Sequence, residues 1–465
     1  MKASLAYSEA TIAAIATPVG PGAIGVIKVS GNLCEKIFRR LFKPKREIKK
    51  IQSHRLYYGF IQDPETEEVI DEVLITLMRA PHTYTREDVL EIYGHSGYFV
   101  LTKILELVLK EGARLAEPGE FTQRAFLNGR IDLSQAEAIQ DLINARSEEA
   151  LKLALHQLRG GLAERLQEIK EAVLSALAVI EVAVDFPEED VELVSHYELC
   201  SKLEEEAVKP LEELLRDYQQ GRLFREGIAV VIAGRPNVGK SSLLNALLKE
   251  ERAIVTPIPG TTRDIIEEMA TIKGLPVRLI DTAGLRETKD LVEEIGVQRA
   301  KEKISQADVV IFVVDGAEEP TPQDFRLYAE IEALPHVVAI NKIDIASEET
   351  LEKWRGLFPK SKKVFISAKE HQGLDSLAET VFEIVVGQRE PHVPCVVPNL
   401  RQKLALEAAL QAVQTAVQNL RSPRFLPELV AVDLREALNH LGTITGETST
   451  EDLLHQIFSS FCLGK

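Results

Sequence analysis

Residues 234–241 read GRPNVGKS, and the spacing of the two glycines, the lysine and the serine suits phosphate chemistry. The run before it, IAVVIA, is apolar and β-branched, while the run after it, SSLLNALL, has helical periodicity. The spacing therefore predicts strand, loop and helix. In that arrangement backbone N–H groups at the helix N-terminus cup phosphate oxygens, Lys240 reaches the β- and γ-phosphates, and the Ser241 hydroxyl holds Mg²⁺. The nucleotide contacts expected here are Asn237, Val238, Gly239, Lys240, Ser241 and Ser242, with Lys240 also a candidate catalytic residue.

Four further motifs follow in the order of a small G-domain: GTTRD (260–264), DTAG (281–284), NKID (341–344) and SAK (367–369). The last three each follow an apolar run (VRLI, VVAI, VFI), which places them at strand ends, where ligands bind in α/β sheets. Thr262 is expected to give Mg²⁺ a second hydroxyl, Asp281 to hold the metal's water shell, and the Gly284 N–H to meet the γ-phosphate. Thr262 and Gly284 would thereby sense hydrolysis. The Asp344 carboxylate accepts from both the ring N–H and the amine of guanine, a pair that adenine lacks, so the nucleotide is read as GTP. Asn341 and the Lys342 stem brace loop and base, and the backbone at Ala368 meets the guanine oxygen. The full contact set adds Thr256, Pro257, Ile258, Pro259, Gly260 and Thr261, then Thr282 and Ala283, and finally Ser367 and Lys369.

The residue after DTAG is Leu285, where Ras-like proteins carry a glutamine that orients the attacking water. Glu287, Asp290, Glu293 and Glu294 lie downstream as acidic candidates for that work, and their spacing alone does not choose among them. The transition-state charge also needs a cation, which a bound metal ion supplies where no arginine finger exists. Asn237 and the loop TPIPGTT offer a side-chain oxygen and backbone carbonyls, a cage suited to a monovalent cation.

Around these residues stands a chain of 465 residues, too long for one core and consistent with about three domains. It has 55 Lys and Arg against 72 Asp and Glu, a net charge of −17, so its surface as a whole repels nucleic acid and any RNA contact must be local. The basic run FRRLFKPKREIKK (38–50) has no interleaved stacking pattern and reads as a solvated surface. No uncharged stretch is long enough to cross a bilayer, and the first residues do not read as a secretion signal, so the protein is expected in the cytoplasm and off the membrane. Its four cysteines (34, 200, 395, 462) lack CxxC spacing and read as free thiols. The ending FCLGK is a poor prenylation box, since Gly464 is not aliphatic and Lys465 is not a usual selector.

Residues 133–183 and 196–219 carry helical spacing, as do 399–420, 427–442 and 450–461, the last with Thr450 as N-cap. Because the ends of a G-domain lie close together, the simplest arrangement inserts it into one helical domain built from both flanks. Residues 1–127 differ, with β-branched runs, glycine-rich turns and one helix near 97–111, and read as a separate α/β domain. The expected fold is multidomain α/β plus α: an N-terminal α/β domain (1–127), a discontinuous helical domain (128–221 and 388–465) and an inserted Ras-like P-loop G-domain (222–387).

Taken together, ATPVGPGAIGVIKVSG, PHTYTREDVLEIYGHSG, PGEFTQRAFLNGRIDLSQAEA, GRPNVGKSS, PGTTRD, DTAGLRET and LGTITGETSTEDLLHQIFSSFCLGK resemble the MnmE (TrmE) family of tRNA-modification GTPases across essentially the whole chain. GRPNVGKS is shared with Era and EngA, so an assembly GTPase that makes no covalent change to RNA is the alternative; the N-terminal blocks and CLGK ending favour MnmE. The resemblance implies a homodimer that works with the FAD-bearing partner MnmG (GidA), FAD residing on the partner alone. It implies addition of an aminomethyl or carboxymethylaminomethyl group at carbon 5 of the wobble uridine of certain tRNAs, with a 5-formyl or 5,10-methylene tetrahydrofolate as one-carbon source. The N-terminal domain would dimerise and bind folate through Lys28, Glu91, Arg130 and Lys465, and Cys462 would sit beside that pocket as a candidate catalytic thiol. Lys28 stands where other members have Arg, and an ammonium cannot reproduce the bidentate fork of a guanidinium. The resemblance also assigns K⁺ to Asn237, Thr256, Ile258 and Thr261, and among the acids it assigns Glu293 to orient water through a bridging water.

Overall fold

The computed structural model describes residues 10–18, 20, 22–185, 196–250, 267–281, 307–387, 395–422 and 426–465. They form two compact units, one from the segments up to 140, 158–203 and 408–465, the other from 141–157 and 204–407. The architecture is mixed α/β with a helical domain.

The first unit holds a seven-stranded sheet of β1 (Ile12–Ile15), β2 (Ile24–Ser30), β3 (Phe42–Pro44), β4 (Arg55–Gln62), β5 (Val69–Met78), β6 (Val89–His95) and β7 (Arg114–Leu115). Their order is β3-β4-β5-β6-β2-β1-β7. Neighbours pair antiparallel except β1 with β7. One face is apolar because the strands alternate: Ile27 and Val29, Ile75 and Leu77, Leu90 and Ile92 turn inward together. That face is covered by the helices Cys34–Leu41 and Tyr98–Lys110 through Ile37, Phe38, Leu41, Leu101, Ile104 and Val108. The same alternation sends Lys28 and Glu91, partners in the β2–β6 register, to the opposite face.

Helical periodicity over 133–183 resolves into three helices, Leu133–Asn144, Glu148–Leu158 and Gly161–Asp185. Gly161–Asp185 packs along Pro427–Thr445. Buried Lys170 ties the two segments together, its Nζ donating to Thr445 Oγ1 at 3.1 Å and to Glu447 Oε1 at 2.8 Å. The helix Glu451–Ser459 starts as its sequence implies, with the Thr450 hydroxyl accepting from the Leu453 N–H. Its Leu454 and Phe458, and Phe461 beyond it, bury against Leu133, Ala136 and Ile139. The chain end then reaches the α/β part, where the Phe121 N–H donates to the Lys465 carbonyl at 3.2 Å.

The second unit is built on six strands, β8 (Ile228–Ala233), β9 (Glu267–Ile272), β10 (Leu275–Asp281), β11 (Val309–Asp315), β12 (His336–Asn341) and β13 (Lys362–Phe365). They are ordered β13-β12-β11-β8-β10-β9 and parallel except for β9 with β10. β8 and β11 are buried at every position, as a parallel sheet covered on both faces requires. The chain runs from β8 to β10 on one side and returns to β11 on the other, so the loop after β8 lies at the point where strand order reverses, the place where such sheets hold ligands. Among the described residues, no helix is long and apolar enough to cross a membrane.

Gly119, at the start of the helix Glu120–Leu127, has φ +70°, and a Cβ there would overlap the Phe458 carbonyl oxygen. Gly119→Ala is expected to destabilise the first unit by about 2 kcal/mol through strain and lost docking of Glu451–Ser459. Urea unfolding followed by far-UV circular dichroism would show a lower midpoint, and an unchanged midpoint would contradict this packing.

Candidate functional site

The phosphate loop joins β8 to the helix Lys240–Glu250, the element order expected from the sequence. Asn237 takes a left-handed conformation (φ 65°). Val238 is buried, Lys240 is largely buried at the helix start, and Ser241 and Ser242 are exposed in its first turn. Lys240 Nζ donates to the Arg235 carbonyl at 2.7 Å. Three consecutive residues, Gly239, Lys240 and Ser241, thus bring a helix N-terminus, an ammonium and a hydroxyl to one place, a donor set that fits a Mg²⁺-bound polyphosphate.

The base loop is locked to the phosphate loop. Buried Asn341, at the end of β12, donates through Nδ2 to the Val238 carbonyl at 2.8 Å and accepts at Oδ1 from the Ala368 N–H at 3.0 Å. One side chain thereby joins three of the predicted motifs. Gly239 has φ +99°, and a Cβ on it would overlap Asn341 Nδ2, so this position needs glycine for both reasons. Exposed Asp344 is oriented by Ser367, whose hydroxyl donates to its Oδ1 at 2.6 Å. Ser367 is itself fixed by backbone exchange with Gln372 and accepts from the Glu370 N–H at 3.2 Å. Lys342 (φ 65°) sends its ammonium to Asp315, at the end of β11. Lys369 is exposed and faces Glu370 at 3.3 Å.

Several predicted residues lie outside the described ones: Thr256, Pro257, Ile258, Pro259, Gly260, Thr261 and Thr262, then Thr282, Ala283, Gly284 and Glu293. Asp281 closes β10 with its backbone in register with Ile232. Of the four K⁺ positions, Asn237 is described, and its amide oxygen is a donor type that suits a monovalent cation.

The first unit gathers a second group of predicted residues. Lys28 lies 4.9 Å from the Tyr84 ring centre and 5.3 Å from that of Phe121. Burial pushes its ammonium below the usual lysine range; Glu91 opposes that, while Lys465 and Arg130 add to it. Those three neighbours are the other three predicted folate residues. Arg130 lies against the same Tyr84 ring as Lys28, its guanidinium 4.6 Å from the ring centre, and donates to the Tyr84 carbonyl at 3.3 Å. Glu91 accepts from the Tyr93 hydroxyl, whose pKa is pushed up to about 12 by burial and by that carboxylate. Lys28 thus has one carboxylate and two further cations within electrostatic reach and two aromatic rings beside it, a setting that would suit a flat, anionic ligand such as a folate derivative. Cys462 is exposed, and its carbonyl accepts from the Lys465 N–H at 3.3 Å.

Tyr84, Phe121, Asp315 and Arg235 belong to these two sites, and sequence reading did not single them out. The aromatic pair carried a weak signal, since Tyr84 lies within PHTYTREDV and Phe121 within PGEFTQRAF.

Residues 133–462 match the MnmE helical domain, and residues 11–130 match the GTP-binding protein TrmE N-terminus. The tRNA modification GTPases MnmE of Thermoanaerobacter pseudethanolicus, Desulfotalea psychrophila and Aquifex aeolicus are each 46% identical to this chain. The alignments cover 98%, 100% and 98% of this chain and 99%, 100% and 99% of those proteins. A solved Era from Aquifex aeolicus is 30% identical over 43% of this chain and 69% of its own, with a TM-score of 0.29, too slight a likeness to carry an argument.

Asn341→Ala would take a hydrogen-bond partner from the Val238 carbonyl and the Ala368 N–H at once. A loss of about 2 kcal/mol or more is expected for the second unit, because each buried backbone group then bears its desolvation cost. Chemical denaturation of the nucleotide-free protein measures it, and a loss near zero would mean that Asn341 does not join the loops.

Proposed function

The chain belongs to the MnmE family of tRNA modification GTPases, and from that premise we propose how its two sites serve one reaction. It is an enzyme that hydrolyses GTP in the service of tRNA modification. The observation that carries the reading is the Asn341 bridge, which holds the phosphate loop, NKID and SAK in one frame while Ser367 aims Asp344. In that frame Asp344 accepts from guanine, Ala368 meets the guanine oxygen, and Lys240 meets the β- and γ-phosphates.

Ser241 and Thr262 are the side chains that would hold Mg²⁺, and Asn237, Thr256, Ile258 and Thr261 those that would hold K⁺. When bound, these ions supply positive charge beside the transferring phosphoryl group. Leu285 gives no hydrogen bond to water, so Glu293 takes over its orientation, acting through a second water. Thr262 and Gly284 register the loss of the γ-phosphate.

The α/β part takes a 5-formyl or 5,10-methylene tetrahydrofolate between Lys28, Glu91, Arg130 and Lys465, and that group supplies the one-carbon unit when bound. Support comes from the way Lys28 feels the other three while lying against Tyr84 and Phe121. Cys462 is the thiol placed next to this group. The protein works in the cytoplasm as a homodimer with MnmG, which brings FAD, to build the aminomethyl-type group at carbon 5 of the wobble uridine. The G-domain is inserted in a helical domain made from both flanks, so that GTP turnover moves the flanking parts.

Two outcomes test this reading. Glu293→Ala is expected to lower kcat for GTP by about 100-fold or more with GTP affinity within about twofold, since water orientation belongs to the transition state alone; turnover within a factor of about two would remove the assignment. Replacing KCl by NaCl is expected to abolish stimulated hydrolysis, because an oxygen set of this kind would suit the larger, more readily dehydrated ion, and equal rates in both salts would sink the cation argument.

A further inference from the structure

Arg235, the second residue of GRPNVGKS, is bound by two carboxylates, Glu318 from the segment after β11 and Asp324 from the first turn of the helix that follows it. Its Nε donates to Asp324 Oδ1 at 2.7 Å and its Nη2 to Glu318 Oε2 at 3.1 Å. Asp324 is fully buried. Its second oxygen, Oδ2, accepts from the Thr321 N–H at 2.9 Å and from the Thr321 hydroxyl at 2.7 Å, closing a capping box at the start of the helix Pro322–Ile331. One carboxylate therefore divides its oxygens between a helix cap and the phosphate loop.

A capping box does not need burial, because an exposed acid at the third helical position closes it equally well. A carboxylate removed from water and facing a guanidinium whose side chain is 14% exposed makes a short, directional, charge-assisted contact that holds its partner in one geometry. What is held is the entrance of the phosphate loop. The Arg235 carbonyl is the group that accepts from Lys240 Nζ at 2.7 Å. A line of contacts thus runs from Thr321 through Asp324 and Arg235 to the phosphate-binding lysine. The segment that leads from β11 into the helix of Asp324 also reaches the base side, where Gly316 N–H donates to the Asn341 carbonyl at 2.7 Å and Asp315 receives the Lys342 ammonium.

We propose that Asp324, acting through Arg235, is a positioning residue of the nucleotide site, and that residues 315–324 form a strut holding the phosphate loop and base loop in mutual register. Buried Asp324 acts at one remove, through Arg235, on where Lys240 stands when the phosphates arrive. The proposal rests on the GTPase reading.

The test uses the full chain, Mg·GDP titration calorimetry and steady-state GTP turnover. Asp324→Asn keeps the side-chain volume and an oxygen for Thr321 but removes the charge that grips Arg235. It is expected to lower kcat/KM for GTP about tenfold or more and to weaken GDP about fivefold, since small displacements of a charged group at the phosphates are costly. Arg235→Lys, which keeps the charge and loses the fork, is expected to show the same pattern, and the double variant to be no worse than either single one, because one contact is lost in each case. Ser347→Ala weakens a cap elsewhere in the same unit, that of the helix Glu348–Gly356, and is expected to lower the melting temperature with both nucleotide parameters within about twofold of wild type. Should Asp324→Asn not fold, Arg235→Lys decides the matter by itself. Wild-type-like turnover and binding in Asp324→Asn and Arg235→Lys, additive losses in the double variant, or an equal kinetic loss in Ser347→Ala would each overturn the proposal. Failure of the wild-type chain to bind GDP would instead overturn the GTPase reading and the proposal with it, so the two failures are told apart by the wild-type titration.

Discussion

Most of the nucleotide-binding geometry depends on one close approach, that of the Asn341 amide to Gly239 and Val238. The phosphate loop, the base loop and the SAK loop lie on three different strand ends, and loops of that kind have little to hold them against one another. A buried amide solves this, because it both donates and accepts, and its loss would leave backbone groups of two loops without that partner. The approach is possible only because residue 239 has no side chain. Glycine at that position is therefore set by packing against Asn341 as much as by the path of the loop around phosphate.

The first unit obeys a different constraint, the alternation of its sheet. Turning Ile27 and Val29 into the core obliges Lys28 to face the other way, and the antiparallel register then sets Glu91 beside it. Tyr84 and Phe121 give the Lys28 ammonium two aromatic faces, while burial draws its pKa down and Glu91 opposes that. The chain end completes the group, since Phe458 and Phe461 anchor the last helix and leave Lys465 against Phe121.

The second sheet was largely legible in the sequence because parallel strands write themselves as unbroken apolar runs, and because the motifs at their ends recur in fixed order; IAVVIA became β8, VRLI and VVAI fall within β10 and β12, and VFI runs over the end of β13. The Thr450 cap was legible for the same local reason. What could not be read was whatever depends on pairing between distant segments. Lys28 and Glu91 are neighbours through a register joining strands more than fifty residues apart, and Arg235 meets Asp324 across 89 positions. The single helical pattern of 133–183 also concealed its two breaks, since the apolar spacing continues across them while Gly160 turns left-handed at φ +98°. The switch segments and Glu293 lie outside the described residues, so their roles rest on motif and family.

A GTPase that modifies tRNA and one that only assembles ribosomes can share every feature of the nucleotide site. The measurement that separates them is mass spectrometry of the wobble uridine in tRNA from cells lacking this chain, complemented with wild type or with Lys240→Ala. The predicted result is return of the carbon-5 modification with wild type and its absence with Lys240→Ala. Full modification with Lys240→Ala, or in cells without the chain at all, would contradict the claim that GTP turnover here drives tRNA modification.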